Sequence, residues 1–279
     1  MVYKKATVLF GVLTLFLLVL ATSSAIAQPQ PGTRLTDDEV KKLIDHTAKD
    51  VDHFRDAVGN KIISITNAQG GSVDVQQFLK DYEKSINQVK DDFHSKPTDT
   101  TSIENFFRMS SRVDHGMQNT GSLTNAQSEW TTLRGDVDQL MTAYQSSWHW
   151  DETTPRPVRL GDDQVKGLME QIKNDTKPLS GSIKDSFKLD KTVDKTTQES
   201  LKQTVKDMEK QADVVKDRYN DHKPITAELN KLFDYGNQLG QYVAAHPNAT
   251  KAQGDYGRLK SNLMKLAGAF NMPWGGPAI

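Results

Sequence analysis

Most of the stretch from Thr124 to Trp150, TNAQSEWTTLRGDVDQLMTAYQSSWHW, returns near the C-terminus as TKAQGDYGRLKSNLMKLAGAFNMPW, Thr250 to Trp274. In the first copy Trp130, Leu133, Val137, Leu140, Met141, Tyr144 and Trp148 fall at steps of three and four, the spacing of one stripe on a helix. A shift of 126 positions gives Tyr256, Leu259, Leu263, Leu266, Ala267, Phe270 and Trp274. All of these are apolar or aromatic, so the stripe reads as a buried packing face carried twice. A chain built this way is expected to fold as two similar helical halves.

The recurrence extends upstream. Leu35-Thr36-Asp37-Asp38-Glu39-Val40 holds a capping box, Thr36 with Glu39, and a staple of Leu35 onto Val40. Leu160-Gly161-Asp162-Asp163-Gln164-Val165 opens the second half in the same way, with Gly and Gln in place of Thr and Glu. Apolar stripes then run through three further helices in each half: Val40 to Ile62 is matched by Val165 to Phe187, Val75 to Phe93 by Leu201 to Tyr219, and Ile103 to Met117 by Leu229 to Val243. Between the halves, Pro155 and Pro157 force extended backbone on the residues before them and stop helix four running into helix five. Pro178, inside the fifth helix, is expected to kink or break it. Strand signals are nearly absent; the β-branched run Ile62 to Thr66 sits at a helix end.

The expected fold is therefore all-α: two tandem antiparallel four-helix bundles from an internal duplication, after an N-terminal signal peptide. The expected boundaries are a signal peptide over 1–27, a leader over 28–34 and a first bundle over 35–150. A Pro-containing linker over 151–159, a second bundle over 160–274 and a tail over 275–279 complete the chain. Lys4 and Lys5, the apolar run Ala6 to Ala21 and the small-x-small site Ala25-Ile26-Ala27 carry the export reading. The apolar run is short of the roughly 20 residues a membrane span needs. The product is expected to be exported, periplasmic or extracellular, with no transmembrane span once the signal is removed.

The 35 basic and 36 acidic side chains nearly balance, and no basic tract could track a phosphate backbone, so nucleic acid is not an expected partner. The chain has no cysteine, which excludes thiol nucleophiles, thiolate metal sites and disulfides. Stability has to come from packing. Trp130, Leu133, Arg134, Leu140, Tyr144 and Trp148 form a Trp-x-x-Leu-Arg start, a Leu-x-x-x-Tyr middle and a terminal Trp. In this the chain resembles a group of uncharacterised exported bacterial helical proteins. The resemblance implies a helical fold and an exported location, and implies no reaction. The second half departs from the pattern with Tyr256 and Lys260 in place of Trp130 and Arg134.

Three readings of function compete. His46, Asp50 and His53 stand at i, i+4 and i+7 on the first helix, where imidazole and carboxylate could share a zinc-like ion. Asp-His pairs on a solvated helix are common, however, and the matching positions Gln171, Asp175 and Pro178 could not bind alike. The aromatics Phe106, Phe107, Trp130, Tyr144 and Trp148-His149-Trp150 could line a pocket for an apolar ligand, but at helical spacing they read first as core. No Gly-x-Ser-x-Gly elbow, phosphate loop or Glu-x-x-His is present. The leading expectation is thus a non-enzymatic exported interaction or scaffold protein without a cofactor, its protein partner left open. A carrier or sensor of a small apolar ligand stands second, and a metal-binding bundle third. If helix four buries its stripe, Trp130→Ala should cost roughly 3–5 kcal/mol. A denaturation midpoint equal to wild type would place Trp130 outside the core.

Overall fold

The computed structural model describes residues 34–59, 65, 71, 73–118, 124–146, 150 and 157–278. The signal peptide, nearly all of the leader, the first part of the linker, Ile62 and Trp148 lie outside these residues. Among the described residues the chain is all-helical, with no strand. Helices α1 (Asp37–Val58), α2 (Val75–Ser95), α3 (Thr101–Gln118) and α4 (Thr124–Ala143) form one group. Helices α5 (Asp162–Leu189), α6 (Lys195–Asn220), α7 (Thr226–Ala245) and α8 (Thr250–Ala269) form the other. In each group consecutive helices pack side by side and the fourth closes on the first. Each ring encloses its own apolar core. No described helix is long and apolar enough to cross a membrane.

The stripes supply these cores. Leu133, Val137 and Leu140 are fully buried in one, as Leu259, Leu263 and Leu266 are in the other. Trp130, Tyr144, Tyr256 and Phe270 are at most 2% exposed. Helices α4 and α8 both close before their stripes end. Gln145 (φ 49°) and Asn271 (φ 52°) take left-handed backbone, and the next amides, Ser146 and Met272, donate back to Met141 O and Ala267 O, each at 2.9 Å. This is the Schellman closure, made at corresponding positions. Helix α5, by contrast, runs unbroken through Pro178. The proline is exposed, so the Asn174 carbonyl it leaves without an amide faces water, while Thr176, Leu179 and Ile183 hold the helix to its core.

Among the differences between the two cores, one pair of sites is linked. In the first, the Trp130 indole N–H donates to Asp114 at 3.0 Å. At +126 these residues are Tyr256 and Gly240, and a Cβ on Gly240 would stand 2.2 Å from the Tyr256 hydroxyl. The second core exchanges a hydrogen-bonded pair for a close ring-on-backbone contact, which only glycine permits.

The groups meet at the starts of α1 and α5, where each helix caps the other. The four leading amides of a helix lack intrahelical acceptors. Here Asp37 N donates to Asp162 Oδ2 at 3.1 Å, and Asp162 N donates to Asp37 Oδ2 at 3.0 Å. Two buried arginines cross over to complete the joint. Arg159, 4% exposed, donates to Ala143 O (3.1 Å), Leu35 O (3.3 Å) and Asp37 Oδ1 (2.6 Å), with its guanidinium 5.8 Å from the centre of the Phe93 ring. Arg34 donates to Asp162, to Leu160 O and to the Tyr219 hydroxyl, the last at 2.6 Å. Burial works to raise the Asp162 carboxyl, but bonds from Tyr219 and Arg34 prevail and hold it below the usual carboxylate range.

Each arginine precedes one group in sequence and packs into the other. Arg34→Met or Arg159→Met should therefore cost about 1–3 kcal/mol, the loss expected when buried acceptors keep no donor. The double variant should melt in two separate calorimetric transitions. A single transition in the double variant would show that this joint does not couple the two helical groups.

Candidate functional site

Helices α1 and α4 are the pair that closes the first ring, and their contact buries two acids. Asp50 follows His46 by one helical turn and is 8% exposed; Asp136 precedes the stripe residue Val137 and is 2% exposed. The His46 Nδ1 atom lies 2.8 Å from Asp136 Oδ2 and 3.8 Å from Asp50 Oδ2. The three ligand-type atoms all fall within 4.8 Å of one another. Asp50 Oδ2 is buried and has no hydrogen-bond partner among the described residues. The imidazole itself is about half exposed, so the cluster opens to solvent along one side.

Of the three metal candidates legible on α1, the structure brings His46 and Asp50 together. His53 stays at the rim: its side chain is 67% exposed and its Nδ1 sits 3.9 Å from the other Asp50 oxygen, Oδ1. The residue that sequence reasoning missed is Asp136. It lies 90 positions from His46 and reads as the polar edge of a core stripe. One signal was available, since position 262, its counterpart at +126, holds Asn.

That substitution changes the chemistry. In the second ring Asn262 Nδ2 donates to Asp175 Oδ2 at 2.8 Å, so the acid corresponding to Asp50 has a neutral donor. In the first ring a second carboxylate stands where that donor would be. Burial pushes the Asp136 carboxyl up to about 6, against the pull of His46, and the facing Asp50 adds to the rise. His46 is raised above its ordinary value chiefly by its hydrogen bond to Asp136, with burial opposing.

Of the residues weighed as a pocket lining, Phe106, Phe107, Trp130 and Tyr144 are buried in the first core, while Trp148 and His149 lie outside the described residues. Phe106 stacks on Tyr82 at 5.1 Å between ring centres, and Trp130 lies 5.4 Å from Phe54 and 5.9 Å from Trp150. Trp150 meets Trp130 edge-on, and Trp274 stacks on Phe233 at 5.4 Å between ring centres. The Arg134 guanidinium covers the Trp150 ring at 4.8 Å, while Lys260, its counterpart, and Trp274 both lie beside Gly276. The larger clefts are elsewhere, and one of them, of about 290 Å³ at the joint, sets Leu35, Tyr219, Pro224, Ile225 and Phe270 beside Arg34, Glu39 and Lys223. One of about 500 Å³ is lined by Arg55, Asp56, Gly59, Gln76, Lys80 and Glu83. Another, of about 220 Å³, lies around His246 and Asp190. The chain matches no protein-family model, no curated protein and no solved structure.

The raised groups give the cluster a defined pH dependence. A carboxyl whose folded value exceeds its unfolded one stabilises the fold below the unfolded value, near 4, and that contribution is lost as pH climbs through about 6. The raised His46 shifts stability in the same direction, over a higher window. Asp136→Asn, which copies the Asn262 arrangement, should therefore gain on wild type as pH rises. In the presence of chelator, thermal melts should favour the variant by roughly 1–3 kcal/mol at pH 8 and by less at pH 4. A difference that does not change with pH would show that Asp136 ionises freely in the fold.

Proposed function

We propose that the protein is an exported, non-enzymatic scaffold: two antiparallel four-helix bundles, derived by internal duplication, locked into one body that presents two unlike outer surfaces. The observation that carries this reading is the crossed joint between α1 and α5, in which each bundle supplies a buried arginine and a helix-capping carboxylate to the other. Loosely tethered bundles would not need to bury charge between them. The apolar stripes are used up in the two cores, while the polar faces diverge, as at His46 against Gln171 and His53 against Pro178. The basic start, short apolar run and Ala-x-Ala site support export, and the resemblance to exported bacterial helical proteins points the same way. A carrier of apolar molecules stands second: the cleft of about 290 Å³ at the joint offers Leu35, Pro224, Ile225 and Phe270, but it is open to solvent and shares its lining with Arg34, Glu39 and Lys223.

Two measurements test the proposal. The chain has no cysteine of its own, so spin labels can be placed uniquely at the exposed positions 84 and 206 through Lys84→Cys and Lys206→Cys. Double electron–electron resonance should give one narrow distance; a broad distribution would count against a fixed two-bundle body. Native mass spectrometry of protein purified from its own host should show no small apolar molecule bound. A stoichiometric apolar adduct would replace the scaffold reading with the carrier.

A further inference from the structure

The contact between α1 and α4 holds charge that its surroundings do not balance. Asp50 and Asp136 are both more than nine-tenths buried, and the ion-pair partners they have among the described residues are histidines, never lysine or arginine. Other acids packed in the bundles are supplied with donors that are not histidine: Asp114 receives Trp130 and Gln118, the half-buried Asp175 receives Asn262, and Asp255 receives Arg258 on Oδ1, although its Oδ2, like that of Asp50, has no partner among the described residues. Among the described residues Asp50 Oδ2 has no donor, and it lies together with His46 and Asp136 in one cluster of ligand-type atoms.

We propose that His46 Nδ1, Asp50 Oδ2 and Asp136 Oδ2 form a binding site for one divalent transition cation of the zinc type, bridging α1 and α4. Zinc takes histidine nitrogen at about 2.0–2.1 Å and carboxylate oxygen at about 2.0–2.2 Å, which sets tetrahedral ligand atoms about 3.3 Å apart. The observed separations from His46 Nδ1, 2.8 and 3.8 Å, lie on either side of that value, so small side-chain rotations close the site. One imidazole with two carboxylates suits zinc or a similar borderline ion better than the all-oxygen preference of magnesium or calcium. With three protein ligands and one side open to solvent, water takes the fourth position. His53, on the far oxygen of Asp50, does not ligate. The metal takes Nδ1 of a neutral imidazole whose proton sits on Nε2, so a protonated His46 releases one proton to solvent on binding and a neutral one releases none.

The second ring serves as a control within the chain. Gln171, Asp175 and Asn262 occupy the corresponding positions, and there the amide closes onto the acid. Asp136→Asn should recreate that closed state in the first ring, so it removes the site without threatening the fold. Metal bound in the first ring would tie the closing helix to the opening one, a role for which the second ring uses the hydrogen bond.

The test is calorimetric titration of the purified protein, stripped with chelator, with zinc chloride, beside thermal melts with and without zinc. Wild type should bind one zinc per chain and melt higher when loaded. Loss of a direct ligand should exceed the 10–100-fold penalty typical of outer-shell changes, so His46→Ala, Asp50→Asn and Asp136→Asn should each weaken binding by about 100-fold or more. Asp136→Asn should keep its helical circular dichroism and lose the zinc-dependent rise in melting temperature. His53→Ala should bind within about 3-fold of wild type, less than even an outer-shell change. The proposal is overturned if wild type takes up no zinc, or if Asp136→Asn binds like wild type. Equal loss in His53→Ala would overturn the three-residue assignment.

Discussion

The starts of α1 and α5 face each other, and unpaired helix amides there would be costly to bury, since each amide taken from water without an acceptor forfeits a hydrogen bond. Asp37 and Asp162 solve this for one another, each carboxylate accepting the first amide of the opposite helix. Negative charge at a helix start is also favoured by the helix dipole. Two acids so placed would repel, and the buried guanidinium groups of Arg34 and Arg159 offset that while also bonding Leu160 O, Leu35 O and Ala143 O. Neither helical group is complete at this end without side chains contributed from across the joint.

The fold itself was largely open to sequence reading, because its information is local and periodic. Steps of three and four located the core faces, and residues such as Leu133 and Leu259 are buried where the stripe put them. Endings were read less well. The apolar pattern continues past Ala143 to Trp148, but the chain takes left-handed backbone at Gln145, a choice that a run of apolar residues does not announce. The sequence allows Pro178 either to kink or to break its helix, and the break does not occur: an exposed proline in a helix packed on two neighbours costs one hydrogen bond and leaves the others standing.

The candidate site was half legible. His46 and Asp50 lie one turn apart, so spacing alone pairs them. Asp136 reaches them only through the closing of α4 on α1, a contact between residues 90 positions apart that no local pattern encodes. Comparison of the halves carried the missing information in the form of one difference, Asp136 against Asn262. The packing stripes resemble each other because cores tolerate few alternatives. The Asp-for-Asn exchange, by contrast, changes charge in a buried place, where an uncompensated carboxylate is expensive.

The crossed arginines also bear on how such a molecule can assemble. The joint is nearly self-complementary: Arg34, Leu35 and Asp37 on one side face Arg159, Leu160 and Asp162 on the other, with the same groups donating and accepting. A shorter chain carrying one set of these residues could satisfy every bond with a second copy of itself, as an isologous dimer does. Joining the two sets in one polypeptide replaces an encounter between molecules by a high effective concentration. Dilution, which dissociates a dimer, then no longer opens the joint, and each side is free to vary without having to match an identical twin.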